Sequence, residues 1–494
     1  MNLSGNRKTL SCALILFGSA VLCVNVAHAA VVISSKPTAN MNCSGGVCTP
    51  TSKNAVLNKD DLANMLASGD VTVKSDAIAQ DIEIDAKLSW TNSSRLALDS
   101  YRSITFAKPI VVGTNGALTI TTNDGSADGD FQFLKKGHVE FRSVNSNLVI
   151  NGHIYTLGQN IRQISRILSG GAQYVAVSRD IDSADQQFKR APIYELNATL
   201  EGLGNTISNL KVRNRITSEN VGLISDITTS GLVRDLNLVS ADITGNADDD
   251  QLLGALAGKN EGTVLNVNAS GVVASTGEFA QAGGLIGESS GIIRRCSAVT
   301  SVSVTNEQSE AGGLVGLVFE QGTSFPGVVD QSYAEGTVTA SATATSNVNV
   351  GGLIGFAAGG NTSNSYSHSA TSVGAGNSSL SAGGLIGEAH EGFDFPLMIS
   401  NSYSTGSVSG PDGAILGGVV GYISPSQYQI GNAYWDIDTT GMNQGCAGTC
   451  TGVSGLSDEQ LKSGLPAGFD KKVWTQDAAH NSGYPYLIDN PPPY

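Results

Sequence analysis

From Asp70 onward the apolar positions of this chain alternate with polar ones. Val71 and Val73, Ile82 and Ile84, Leu88 and Trp90, Leu96 and Leu98, Ile104 and Phe106, Leu118 and Ile120, Val139 and Phe141, and Leu148 and Ile150 follow one another at roughly 8- to 22-residue intervals. A period of two is that of a strand with one buried face. Asn, Asp, Ser and Gly fill the gaps, as turns require. Short strands without intervening helices predict stacked coils, each strand pairing with its counterpart one rung further on.

Beyond residue 220 the alternation gives way to a repeated phrase. Gly283-Gly284-Leu285-Ile286-Gly287 returns as Gly312 to Gly316, Gly351 to Gly355 and Gly383 to Gly387, with looser copies at Gly254 to Gly258, Gly417 to Gly421 and Val221 to Ile224. Its second residues stand at 222, 255, 284, 313, 352, 384 and 418, which are 33, 29, 29, 39, 32 and 34 residues apart. A period in this range marks a solenoid, a propeller or an array. Each phrase has a companion: Asn364-Ser365-Tyr366, Asn401-Ser402-Tyr403 and Asn432-Ala433-Tyr434, with Gln331-Ser332-Tyr333 and Arg295-Cys296-Ser297 as variants. One repeat cannot bury its Leu-Ile pair alone, so neighbours must stack. The glycines are expected at sharp corners, where positive φ carries no Cβ penalty. Tyr333, Tyr366, Tyr403 and Tyr434 are expected to form a stacked aromatic ladder, with a carbohydrate-facing platform as the alternative.

Two short helices are predicted. Asn58 caps the first, with Leu57 and Leu62 as its hydrophobic staple and Gly69 as its stop. Ser457 and Gln460 form a capping box on the second, between Leu456 and Leu461. One precedes the strands and the other follows the repeats, so both are expected to cap the open ends of a stack.

Composition sets the compartment. Arg7 and Lys8, an apolar run from Leu10 to Val24 and Ala27-His28-Ala29 read as a cleaved secretory signal over residues 1–29. No other segment approaches a membrane span. The net charge of −15 with no basic stripe argues against nucleic acid as a partner. In an oxidising compartment Cys43 with Cys48, and Cys446 with Cys450, read as local disulfides. A four-cysteine zinc site is the rival, but the pairs lie about 400 residues apart. Cys296 is expected to be a buried small apolar residue. The organisation that follows is a signal peptide (1–29), an N-terminal arm (30–56), a capping helix with N-terminal coils (57–170), repeats (171–436), and a C-terminal cap and tail (437–494).

The glycine phrase with its Asn-Ser-Tyr companion resembles the GLUG motif of bacterial surface and secreted proteins. The tail from Leu456 through Phe469, Trp474 and Gly483-Tyr484-Pro485-Tyr486-Leu487 looks like the segment that commonly closes such arrays. Residues 57 to 160, with Leu88-Ser89-Trp90, Leu96-Ala97-Leu98 and Ile150-Asn151-Gly152, look like the coils of filamentous-haemagglutinin-type exoproteins. This resemblance implies an all-β, right-handed parallel β-helix (a solenoid) on an adhesin-like exoprotein. It also brings in an outer-membrane secretion partner, although the Asn-Pro-Asn motif of that class is absent.

Chemistry-bearing patterns are few. There is no His-Glu-x-x-His, no Gly-x-Ser-x-Gly elbow and no phosphate-binding loop. Asp124, Asp128 and Asp130, and the run Asp248 to Asp250, read as solvated turns, with calcium the alternative for the first group. No cofactor, metal or catalytic residue is implied. The expectation is a secreted or cell-surface, adhesin-like rod without catalytic activity, whose partner is a surface glycan or protein of a host or neighbouring cell. Phe319, Phe325, Phe393 and Phe395 are its exposed contact residues in the loops 318–329 and 388–397. The alternative is a polysaccharide-acting lyase or hydrolase, which needs carboxylates converging in one lateral groove.

Overall fold

The computed structural model describes residues 29–492, other than 127, 135, 217–218, 247–249, 278, 306–307, 321–325, 342–346, 375–378, 393, 425–427 and 449. The expected signal therefore lies outside the described residues, save its last position. Among the described residues no helix is long and apolar enough to cross a membrane.

The chain is all-β and its strands pair mostly in parallel. In the first part, Val47–Pro50, Val71–Lys74, Arg95–Asp99, Ala117–Thr121 and Asn147–Ile150 form one parallel ladder. Its register sets Val71 beside Leu96, Leu96 beside Leu118, and Leu118 beside Leu148. Every inward position of the alternating pattern is buried, with Leu96, Leu98, Ile104, Phe106, Leu118 and Leu148 at 0% exposure. Residues 30–56 are not a loose arm. Ala30–Ser34 pairs in parallel with both Asn54–Asn58 and Asp81–Ile84. Val31 and Ile33 alternate like the later strands, and the polar text around them hid that signal.

Each later repeat lays strands on three ladders. Ladder one holds Gln251–Leu253, Ala280–Gly283, Ser309–Gly312, Val348–Gly351, Leu380–Gly383 and Ile415–Gly417. Ladder two runs from Ile193–Leu196 through Ala257–Asn260, Ile286–Ser289, Val315–Phe319, Ile354–Ala358 and Ile386–His390 to Val420–Ile423. Ladder three is the widest, and its pairings close on themselves because a long strand such as Thr263–Ser275 pairs with both Ile292–Arg294 and Ser297–Thr305 of the next repeat. The Leu-Ile pairs of the phrases are buried at 0% exposure and form one continuous apolar core.

The glycines act differently from the sequence expectation. None in the phrase has positive φ. They are needed for close approach instead. A Cβ on the first glycine (283, 312, 351, 383 or 417) would fall on the carbonyl three residues ahead. On the second (284, 313, 352 or 384) it would meet the matching glycine carbonyl of the next rung, and on the third (316, 355, 387 or 421) the backbone of ladder one. The left-handed corners belong to the companion phrase: Arg295, Gln331, Asn364, Asn401 and Asn432 have φ between 45° and 56°. Asn tolerates that region better than most side chains.

The next companion position forms a hydroxyl ladder. The Cys296 N–H donates to Ser332 Oγ (3.1 Å), Ser332 N–H to Ser365 Oγ (3.2 Å) and Ser365 N–H to Ser402 Oγ (3.1 Å). Each Ser hydroxyl in turn donates to the carbonyl two residues back, at 2.7–2.9 Å. Cys296 takes the same place, its thiol 3.3 Å from Arg294 O, and is wholly buried.

Helix α1 (Lys59–Ser68) packs Leu62 and Leu66 against the first coils, and its cap is as predicted, with Asn58 Oδ1 accepting from the Asp60 and Asp61 N–H groups. A helix the sequence reading missed, α2 (Ile161–Ser169), buries Ile161, Ile164 and Leu168 in the core of the repeats. Helix α3 (Asp458–Lys462) carries the predicted capping box. It is not an end cap. Val453–Leu456 adds a last strand to ladder three, and the chain then doubles back as a lateral strap. Tyr434 OH donates to Ala467 O (3.0 Å) and Tyr403 OH to Pro485 O (2.6 Å), while the Asn490 amide reaches Cys296 O and Gln331 O (3.1 Å each).

Candidate functional site

The close backbone approach at the glycines brings two rows of side chains face to face. On ladder one, pairing places Leu252, Gln281, Glu310, Asn349, Ser381 and Ile415 in one line. On ladder two the residue after each third glycine forms the other line: Lys259, Glu288, Leu317, Phe356, Glu388 and Tyr422. The rows meet because Gly316, Gly355, Gly387 and Gly421 let ladder two approach the backbone of residues 281–282, 311, 350 and 382. Asn349, with its amide oriented for hydrogen bonding, bridges them by donating to Glu388 Oε2 (2.6 Å). Glu388 Oε1 lies 2.6 Å from His390 Nε2, whose ring sits 5.3 Å from Phe356 and 5.9 Å from Tyr422.

This groove is acidic. Burial, against a hydrogen bond from Gln281, pushes the Glu310 carboxyl up to about 7, and the charges of Glu388 and Asp250 add to the shift. Glu310 Oε2 is closed off from solvent and has no hydrogen-bond partner. Burial also raises Glu288, against the pull of Lys259. That lysine is engaged with Glu261 at 2.8 Å and Glu288 at 3.9 Å. A carboxyl that titrates near neutrality can donate or accept a proton.

The residues singled out from the sequence fall elsewhere. Cys43 is bonded to Cys48, closing the hairpin of Met41–Ser44 and Val47–Pro50, and Cys446 is bonded to Cys450. Phe319 and Phe395 are half-buried rather than freely displayed, while Phe325 and Phe393 lie outside the described residues. The two loops are tied together: buried Glu320 accepts from the N–H groups of Asp394 (2.7 Å) and Phe395 (2.8 Å). Asp124, Asp128 and Asp130 are exposed, and Asp130 pairs with Arg234. No cluster of three metal-ligating side chains occurs among the described residues. Tyr333, Tyr366 and Tyr403 stack at 4.8 and 5.2 Å, nearly parallel, and Phe469, Trp474, Tyr484 and Leu487 of the strap cover them, so a carbohydrate platform there is closed. A hollow of about 310 Å³ lined by Arg190, Tyr194, Glu219 and Asp226 lies beside the first strands of ladder two. Glu310 and Glu388 were missed. Aligning the copies on their glycines would have found both, two residues before the first glycine and one after the third.

No protein-family model matches this chain. Over 152 residues it is 32% identical to Halomucin of Haloquadratum walsbyi (strain DSM 16790 / HBSQ001), covering 30% of this chain and 2% of that protein, so the chain spans a small fraction of the relative it matches. Solved structures similar to it include one described as a putative immunoglobulin A1 protease from Bacteroides ovatus, with 20% identity, a TM-score of 0.45, and coverage of 68% of this chain and 93% of that one. Another, an IgA1 protease, has 18% identity, a TM-score of 0.35, and coverage of 61% and 23%. The expectation of a chain without catalytic activity is corrected on this finding, since both structures are described as proteases. At these scores they name no reaction for this chain.

Proposed function

We propose that this chain is an exported, adhesin-like interaction protein, a right-handed parallel β-helix of GLUG-type repeats that presents a lateral face to a surface glycan or protein of a host or neighbouring cell. The observation that carries this reading is the pair of facing rows. Parallel register sets one side chain per rung, about 4.8 Å apart, along two facing rows that run over successive repeats. The tyrosine face is covered by the strap, so it is closed to a ligand, and the facing rows are the lateral feature this reading uses. Ladders held by backbone pairing stay rigid, so ordering the site costs little on binding. The test is an array of glycans and cell-surface proteins probed with the purified chain lacking residues 1–29. Binding that weakens in N349A and E388Q, with the fold intact, supports the reading; no binding to any surface removes it.

A second reading has its own observation. Glu310 and Glu388 are two carboxyls on the facing rows, and burial pushes the first up to about 7, where a polysaccharide-acting enzyme needs a carboxyl able to donate a proton. Release of reducing ends or unsaturated products from a polysaccharide panel, abolished in both E310Q and E388Q, would establish it.

A further inference from the structure

We propose that the hollow beside Tyr194 binds the terminal ring of a neutral glycan, with the tyrosine as its stacking platform. The repeat itself marks the place. Ile193, Ile224 and Ala257 pair on ladder two, so Tyr194, Ser225 and Gly258 follow at equivalent positions. From Gly258 onward this position is the third glycine of the phrase, because ladder-one backbone of the rung before lies against it: residues 220–221 at Gly258 and 252–253 at Gly287. Ladder one starts at Gln251–Leu253, and among the described residues a single bridge, Val221 with Leu253, precedes it. Tyr194 belongs to the first rung of ladder two, which has no earlier ladder-one strand beside it among the described residues. The space that backbone fills in later rungs is a hollow here. Tyr194 lines it and, at 73% exposure, is the most exposed large hydrophobic side chain described.

The hollow measures about 310 Å³, with Arg190, Glu219, Asn220 and Asp226 also in its walls. That is the lower end of the about 300–1,000 Å³ of small-molecule sites, which suits the end of a glycan rather than a long chain. Its polar groups are positioned and keep capacity. Asp226 accepts from Asn220 Nδ2 (2.6 Å) and Ser225 Oγ (2.5 Å), which fixes a carboxylate that still has lone pairs to offer. Arg190 meets Glu219 at 3.9 Å, too far for a hydrogen bond, so its N–H groups remain available to a ligand. A pyranose has an apolar C–H face and a rim of hydroxyls. The face suits a bare aromatic ring, and the rim suits a fixed carboxylate beside a guanidinium.

Charge selects a neutral sugar. Glu219, Asp226 and Glu195, the register partner of Asp226, outnumber Arg190, while Lys189 lines a separate hollow with Arg162 and Phe188. A uronate or sulfated sugar would meet that surplus of carboxylates. One ring beside a guanidinium is no aromatic cage for an ammonium. The site is apart from the facing rows. Asp226, Lys259, Glu288, Leu317, Phe356 and Glu388 succeed one another on ladder two, so at about 4.8 Å per rung the hollow lies about 24 Å from Glu388. The proposal shares with the interaction reading only the glycan class of its partner.

The experiment is calorimetric titration of the full mature chain with cellobiose, lactose and mannobiose, and with digalacturonate as the charged counterpart. Retention of the chain on beads carrying the same neutral disaccharides identifies a surface-borne glycan, and titration without retention identifies a free sugar. At least one neutral disaccharide should bind. Tyr194→Ala should weaken it about tenfold or more, whereas Tyr194→Phe, which keeps the ring, should stay within about threefold. Asp226→Asn should weaken it several-fold. Ile154→Ala, which trims a side chain 69% exposed elsewhere on the body, should leave it unchanged. Circular dichroism confirms that the variants fold. Failure of every neutral disaccharide overturns the proposal, as does undiminished binding in Tyr194→Ala or tighter binding of digalacturonate. Cell-surface binding that persists in Tyr194→Ala while every neutral sugar fails refutes this site and leaves the interaction reading standing.

Discussion

Two adjacent tyrosines of the stack should respond oppositely to the loss of one oxygen. Tyr366 and Tyr403 are both fully buried, with ring centroids 5.2 Å apart and an interplanar angle of 8°. The hydroxyl of Tyr403 donates to Pro485 O (2.6 Å) and accepts from Asn481 Nδ2 (3.0 Å), joining the body to the strap. The hydroxyl of Tyr366 has no partner. Tyr403→Phe removes the two hydrogen bonds to the strap, of about 0.5–1.5 kcal/mol each, besides a longer contact with His368 Nε2 (3.4 Å), so the strap should lose about 1–3 kcal/mol. Tyr366→Phe removes a buried hydroxyl already deprived of water, so its effect should run from neutral to about 1 kcal/mol stabilising.

Hydrogen exchange over residues 473–490 measures the opening of the strap directly, whether or not the whole chain unfolds in one step. Tyr403→Phe should accelerate exchange there by roughly five- to a hundredfold, at about tenfold per 1.4 kcal/mol, while Tyr366→Phe leaves it unchanged or slower. Equal acceleration in both variants would refute the reasoning. It would mean that the tyrosines act only as stacked rings.

Three further outcomes follow from the same geometry. Gly351→Ala sets a methyl against Ile354 O and Gly387 N, both backbone, and should destabilise the stack by about 1–3 kcal/mol or more, whereas Gly431→Ala meets nothing within 4 Å and should be near neutral; urea denaturation of the pair checks this. Burial holds His368, bonded to Asn481 Oδ1 and ringed by Tyr366, Tyr403 and Tyr484, down at about 4. Its folded value lies below the unfolded 6.5, so the unfolded state takes up the proton first; about 3 kcal/mol of stability, whole above pH 6.5, is lost as pH falls towards 4. Strap exchange should rise over that window in the native chain and stay flat in His368→Gln. Burial pushes the Cys296 thiol up to about 12, so a thiol reagent should label it only on unfolding, and Cys296→Ser should keep the fold because Ser332, Ser365 and Ser402 already occupy that place.

The alternating text and the glycine period were sufficient to foresee parallel stacking, because both report which side chains must leave water. Val71 to Ile150 is legible for that reason, and so are the caps of α1 and α3, since a cap is satisfied within four residues of sequence. The Asn-Ser-Tyr phrase was legible as a repeat but not as three separate tasks: a left-handed corner, a hydroxyl ladder and an aromatic stack. Each task is defined by the neighbouring rung, more than thirty residues away.

What only the tertiary structure decided is what faces what. The sequence by itself fixed that glycine must recur, through its period. The structure decided that it recurs for close backbone contact rather than for positive φ, because the clash lies with another rung. The sequence also supplied a capped C-terminal helix, but only the fold turned the segment after it back along the stack, where four tyrosines offered an apolar face that the last rung did not. Glu310 and Glu388 lie 78 residues apart and look like ordinary solvated carboxylates in the chain. Parallel register brings them to one groove, and burial there gives Glu310 its altered proton affinity.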